Sequence, residues 1–272
     1  MRFNQILFVD SIPGGELNTA RELFQDVGLR AQVFAPSPEV LYRRVESRGE
    51  YLALLAELCA TSSTTGNIPV LHVECHGNDD GLAFADGSFA SWADLKEPLT
   101  SLNVVTGMNL LVIVSACDGS ALTHALSPVD RAPLHGLIGP TRAVAPNELA
   151  RAYLALYETL LRTRSARQAV DAMRAAAPDT FVYRAAEWLF QHVWDHYQAT
   201  QETPEARLER GRRMAANPPV DYDGPPVEPE RFAELLAEKN REFFDNFRRK
   251  FFLCDLFPEH EGRFTVRYEA PE

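Results

Sequence analysis

The chain has 272 residues, of which 46% are apolar and 24% charged, an ordinary globular composition that excludes a collagen-like or wholly disordered chain. At roughly 100–200 residues per domain, one large domain or one plus a small addition fits. With 27 basic against 38 acidic residues, the net charge of −11 repels phosphate backbones and argues against non-specific nucleic-acid binding.

Gln5 to Asp10 is a short apolar run that reads as a first strand, followed by the turn signal Pro13-Gly14-Gly15. Leu17, Ala20, Leu23, Phe24 and Val27 recur at helical spacing, with Gly28 closing the pattern. Residues 31–35 read as a second strand stopped by Pro36 and Pro38, residues 39–60 as helix interrupted at Gly49, and 61–67 as a polar loop. Ile68 to Cys75 reads as a strand that opens into His76-Gly77-Asn78-Asp79-Asp80-Gly81. Asp86-Gly87 between short apolar runs predicts a hairpin, because that turn needs positive φ. Asn109 to Ser115 is the most continuously apolar segment, suited to a central parallel strand covered on both faces. Leu134 to Ile138 offers another strand. A helix is expected over 147–163, with Leu149, Tyr153, Leu156 and Leu160 on one face, and another over 165–176.

Alternating strands and helices predict an α/β layer architecture with a mostly parallel sheet and helices on both faces. A core over residues 1–185 is expected, followed by a helical C-terminal extension, 186–272, divided by a proline-rich linker at 217–229. In the final segment Phe232, Leu235, Leu236, Phe243, Phe244, Phe247 and Phe251 form an apolar stripe, expected either to pack back on the core or to dock on a partner. The linker is also an accessible place for nicking.

Two predicted strands end in chemically unusual residues, one in Cys75-His76-Gly77 and the other in Ser115-Ala116-Cys117-Asp118-Gly119. In an open parallel sheet, loops after the carboxyl ends of neighbouring strands meet in one crevice. His76 and Cys117 face each other there if their strands are neighbours. A thiol near pKa 8.5 is mostly protonated at neutral pH and needs a base. An imidazole takes its proton and later protonates the leaving amine. The N–H groups of Gly77 and Cys117 are the candidate oxyanion donors.

The chain resembles the caspase-like cysteine peptidases, above all their CHAT-domain branch. The resemblance rests on Val70 to Gly77, on Leu111 to Gly119 and on the hairpin Gly81 to Gly87. It continues through Trp92, Leu95, the stretch His135 to Pro140, and the helix carrying Tyr153 and Tyr157, covering roughly residues 5–185. It implies a caspase-like three-layer sandwich, with His76 as general base, Cys117 as nucleophile, and the Gly77 and Cys117 N–H groups as oxyanion hole. The implied reaction is peptide-bond hydrolysis through an acyl-enzyme, with no cofactor, no metal and no third side chain. CHAT-type peptidases in bacteria often resemble effectors held off until a partner or ligand signals danger, phage infection included. The resemblance therefore implies a cytoplasmic enzyme with a protein substrate and an activating or regulatory protein partner. One departure stands out. Caspases carry an arginine after the first strand to bind a substrate aspartate, whereas here Asp10-Ser11-Ile12-Pro13 leads into Gly14-Gly15. Asp10 and Asp118 are the candidate substrate-binding residues for a basic side chain, and a small or apolar preference is equally open.

Other readings are weaker. His72, Cys75 and His76 invite a zinc site, but on a strand His72 and His76 lie roughly 13 Å apart at about 3.3 Å per residue. The order is not His-Glu-x-x-His either. His72 is expected as a packed, hydrogen-bonded histidine and Cys75 as a buried thiol, with His124 and His135 in loops. No Gly-x-Gly-x-x-Gly, Walker lysine or Gly-x-Ser-x-Gly occurs. The four cysteines, at 59, 75, 117 and 254, include no Cys-x-x-Cys pair, so reduced thiols are expected. No run of about 18 apolar residues and no apolar stretch after Met1-Arg2-Phe3-Asn4-Gln5 is present, so neither membrane span nor signal peptide is expected. The runner-up function is a catalytically silent caspase-like scaffold acting as an interaction module.

Overall fold

The computed structural model describes residues 1–125, 127, 129–217 and 227–268. Residues 218–226 of the proline-rich stretch thus lie outside the described residues, and its expected nicking with them. The chain divides into two compact units, Met1–Leu126 with Ala132–Ala186, and Ser127–Arg131 with Glu187–Glu272.

In the first unit the strands are β1 (Gln5–Asp10), β2 (Glu39–Arg44), β3 (Pro69–Glu74), β4 (His76–Asn78), β5 (Gly81–Ala83), β6 (Phe89–Ser91), β7 (Leu111–Ser115), β8 (Gly136–Pro140) and β9 (Phe181–Ala185). The helices are α1 (Thr19–Ala31), α2 (Arg48–Thr65), α3 (Trp92–Val105), α4 (Pro146–Thr163) and α5 (Ala166–Ala176), with a 3₁₀ turn over Gly119–Ala125. Six strands form one sheet in the order β2-β1-β3-β7-β8-β9, and only β9 runs antiparallel. Every residue of β1, β3, β7 and β8 is buried, as a strand covered on both faces requires. The edge strand β2, Glu-Val-Leu-Tyr-Arg-Arg, carries the charges that discourage further pairing.

Side chains alternate between the faces. Ile6, Phe8, Val70, Leu111, Ile113 and Ile138 pack in one core with Leu23 and Val27 of α1, Tyr153 and Leu156 of α4, and Met173 of α5. Leu7, Val9, Leu71, Val73, Val112 and Val114 point the other way and are equally buried. Right-handed crossovers place α2 and α3 on that second face. There Arg48 of α2 reaches Asp94 of α3 at 3.2 Å. Strands β4, β5 and β6 form a separate antiparallel meander. Its β5–β6 turn uses Gly87 at φ 85°, the positive value that Asp86-Gly87 predicts.

Three local readings need correction. Ala31 is the last residue of α1 and residues 32–35 are turns and bends, and the second strand is Glu39–Arg44, where pairing with β1 from Gln5↔Glu39 to Asp10↔Arg44 overrides a helix-compatible sequence. Helix α1 passes through Gly28 to Ala31, started by Asn18, whose Oδ1 accepts from the Arg21 N–H at 2.9 Å. Helix α2 begins at Arg48, with Gly49 inside its first turn, and runs on to Thr65. In its serine- and threonine-rich end the hydroxyls turn back onto carbonyls one turn earlier, Thr65 Oγ1 to Thr61 O at 2.8 Å among them.

The second unit holds most of α6 (Ala186–Gln201), then α7 (Pro204–Ala216), α8 (Pro229–Glu238), α9 (Asn240–Phe251) and α10 (His260–Arg263). The aromatic stripe builds a core within this unit. Phe244 and Phe251 of α9 meet Phe190 of α6 at 5.5 and 5.2 Å between ring centroids, and Phe244 meets Trp194 at 5.1 Å. Arg131 clamps Asp255 through two hydrogen bonds, of 2.8 and 2.6 Å. Among the described residues, no helix is long and apolar enough to cross a membrane.

Candidate active site

Strands β3 and β7 are neighbours, and Glu74 stands opposite Ser115 at their carboxyl ends. Two residues beyond each of these positions come His76, which opens β4, and Cys117. The two segments touch. A Cβ placed on Gly77 would lie 3.0 Å from Ala116 Cβ and 3.1 Å from the Cys117 carbonyl oxygen. Only a glycine lets the backbone after His76 come so near the backbone of Cys117. His76 and Cys117 line one cavity of about 160 Å³, together with Ile12, Glu16, Leu17, Thr19, Glu74, Cys75, Ser115, Ala116, Pro140, Arg142, Val144 and Leu149. It opens where strands of a parallel sheet end, the usual place for ligands in open α/β sheets.

Cys117 is half-buried on a tight turn. The Gly119 N–H donates to the Ala116 carbonyl at 3.1 Å, and the Ala121 N–H donates to the Asp118 carbonyl at 2.8 Å. Asp118 adopts φ 54°, a left-handed conformation that aspartate tolerates better than most residues. Gly119 fits against Val114, since a Cβ there would fall 2.7 Å from Val114 Cγ1.

The His76 side chain is 55% exposed, and its Nε2 lies 3.0 Å from Glu16 Oε2. Glu16 comes from the β1–α1 loop, which turns at Gly15 with φ 95°. Sequence reasoning missed this partner. The Pro13-Gly14-Gly15 signal marked the turn, but nothing local says that the next residue arrives beside a histidine sixty positions later.

The two candidate substrate-binding aspartates do not line the cavity. Asp10 is fully buried and saturated. Its carboxylate receives Arg44 Nη1 at 2.7 Å, the Tyr42 hydroxyl at 2.7 Å, Asn18 Nδ2 at 2.6 Å and the Ile12 N–H at 2.8 Å. It ties β1 to the end of β2 and the start of α1, which leaves it no acceptor facing a substrate. Asp118 shapes the turn that carries Cys117.

Besides Glu16, the cavity is lined by the carboxylate of Glu74, another residue that sequence reasoning did not single out. It is 4% exposed, and it caps α1 by accepting from the Thr19 N–H at 2.9 Å and the Thr19 hydroxyl at 2.7 Å. Burial pushes its pKa up from 4.5 to about 7 against the opposing pull of these hydrogen bonds.

Behind the site, His72 is buried, with Nδ1 2.8 Å from the Tyr157 hydroxyl and its ring against Phe8 and Tyr153. Burial lowers its pKa to about 3, so it is neutral at physiological pH. Cys75 is buried too, and burial raises its thiol well above the ordinary range. Among the described residues, no three His, Cys, Asp or Glu side chains come together to hold a metal ion. His135 precedes β8, its N–H donating to the Leu110 carbonyl at 2.8 Å, and it does not line the cavity. His124 lies in the 3₁₀ turn, and its side chain is outside the described residues.

No protein-family model and no curated protein matches the chain.

Proposed function

We propose that the chain is a cysteine endopeptidase of the caspase-like kind, acting on a protein substrate. The observation that carries this reading is that an imidazole and a half-buried thiol, forty-one positions apart, line one cavity at the ends of two paired parallel strands. The resemblance of the segments around His76 and Cys117 to CHAT-domain peptidases supports it.

In this reading His76 takes the proton from Cys117 Sγ as the sulfur attacks the scissile carbonyl carbon. The carbonyl π electrons move to oxygen, where the N–H groups of Gly77 and Cys117 receive the developing charge. Collapse of the tetrahedral intermediate breaks the C–N bond, and His76 gives its proton to the departing amine. A thioester to Cys117 remains. Water then attacks it, His76 taking one proton and returning it to the sulfur as the carboxylic acid leaves. Glu16 holds Nε2, so the other ring nitrogen is the one left for the thiol.

A library of fluorogenic peptides should yield cut products with the full chain and none with Cys117→Ala. Equal cleavage by that variant would remove Cys117 from the chemistry and end this reading.

A further inference from the structure

We propose that His192 and His196, exposed four positions apart on α6, form a two-imidazole site for a divalent transition-metal ion of the nickel, copper or zinc kind. Neither histidine lines the cavity of His76 and Cys117, and nothing at this site depends on the peptidase reading.

The buried side of α6 carries Leu189, Phe190 and Trp194, and Phe190 and Trp194 meet Phe244 of α9. Trp188, His192 and His196 follow one another at intervals of four along the other side, and all three are exposed. Residues four apart on a helix are neighbours, with Cβ atoms about 5–6 Å apart. Helical side chains lean toward the N-terminus, so His196 leans over the turn that carries His192. Two imidazole nitrogens, each about 2.0–2.1 Å from one ion, fit within that span, which is the spacing by which paired histidines on one helix face hold zinc. A second observation is independent of the spacing. The ring of His192 is already placed, because Trp188 stacks on it with 4.8 Å between centroids and 10° between planes. The indole covers a face of the imidazole and leaves its edge, where both nitrogens lie, open to a ligand. A ring held this way loses less freedom when an ion arrives.

Among the described residues, no third His, Cys, Asp or Glu joins the pair, so water completes the coordination of a bound ion. Asp195, three positions after His192, is exposed and accepts from Gln191 Nε2 at 2.7 Å. It adds negative charge beside the ion without being its ligand, and the net charge of −11 draws cations to the whole surface. Imidazole suits nickel, copper and zinc, whereas magnesium and calcium prefer oxygen ligands. His72 and His76 share the four-residue interval, but strand geometry separates them by roughly 13 Å, and His72 is buried against Tyr157. The helix is what turns the same interval into a chelate.

The test titrates the full chain with Ni²⁺, following heat by calorimetry and tryptophan fluorescence in parallel, with Mg²⁺ as the hard-cation control. Ni²⁺ should bind saturably and quench the indole stacked on its ligand, and Mg²⁺ should do neither. Trp188→Phe should bind Ni²⁺ and lose the quenching, since Trp92 and Trp194 are buried. His192→Gln and His196→Gln should each weaken binding by about 10²-fold, the scale on which two linked contacts exceed one. The double variant His196→Gln with Ala199→His keeps the number of histidines and moves one out of reach, so it should bind as weakly as His196→Gln. Both histidines are exposed, and circular dichroism verifies that the variants keep the fold. Wild-type affinity in either single histidine variant or in the double variant would overturn the proposal. So would Ni²⁺ binding that is lost in His76→Gln and kept in His196→Gln, or no binding to the full chain at all.

Discussion

Glu16 Oε2 and His76 Nε2 lie 3.0 Å apart, with both side chains about half exposed. Exposed pairs contribute about 0.2–1 kcal/mol, so in the proposed mechanism Glu16 orients the ring and supplies little energy. Glu16→Ala is expected to lower kcat about two- to fivefold with KM unchanged. Steady-state kinetics on the preferred peptide check this, and a raised KM with unchanged kcat would place Glu16 on the substrate instead of the imidazole. At this scale the two side chains proposed to react, and their shared cavity, were legible in the sequence because each follows an apolar strand with a glycine close behind. Their surroundings were not. Asp10 at a strand end looked available, yet its burial beneath Arg44, Tyr42 and Asn18 comes from β2 and α1, which no local pattern reveals. Glu74 was hidden for the converse reason: inside an apolar run it reads as strand, and only the fold makes it the wall of a cavity.

The elements bring the site together through close backbone approach. Gly77 is the tightest point between β4 and the Cys117 turn, with Ala116 Cβ, the Cys117 carbonyl and the Gly81 carbonyl all within 3.2 Å of where a Cβ would stand. Two of those three neighbours are backbone and cannot swing aside. Gly77→Ala should cost about 1–3 kcal/mol of stability, as crowding of packed atoms does, and should lower cleavage more than unfolding accounts for. Denaturation curves measured beside kcat/KM separate the two. A variant with wild-type stability and rate would show that β4 and the Cys117 turn are not so closely seated. The central strands β1, β3, β7 and β8 were legible because burial on both faces writes a continuous apolar run. The edge strand was not. Glu39–Arg44 has polar and apolar residues in a pattern that also suits a helix, and only its ladder with β1 decides the matter. The hydroxyl-rich end of α2 was read as loop because Ser and Thr favour turns, whereas here their hydroxyls serve the helix carbonyls.

At the scale of the whole molecule, two buried titrating groups set opposing pH dependences. His72 falls from 6.5 to about 3 on folding. As pH drops through that interval the unfolded chain gains a proton that the folded chain refuses, and stability declines. Glu74 rises from 4.5 to about 7. As pH climbs through that interval the folded chain keeps a proton that the unfolded chain has released, and stability declines in the other direction. Each slope approaches about 1.4 kcal/mol per pH unit. Between 4.5 and 6.5 the two oppose each other and their joint contribution is nearly level, while below 4.5 the His72 loss stands alone. Glu74→Gln should therefore reveal a stability that increases with pH between 4.5 and 6.5, relative to the wild type. Urea denaturation at a series of pH values checks this, and parallel profiles for the two proteins would contradict the burial assigned to Glu74. The most direct measurement of the central claim is the cleavage rate of His76→Ala on the best peptide, with its fold verified by circular dichroism. A folded variant slowed about 10²–10⁴-fold is the expected result, and a folded variant cutting at the wild-type rate would contradict a shared role for this imidazole and the Cys117 thiol.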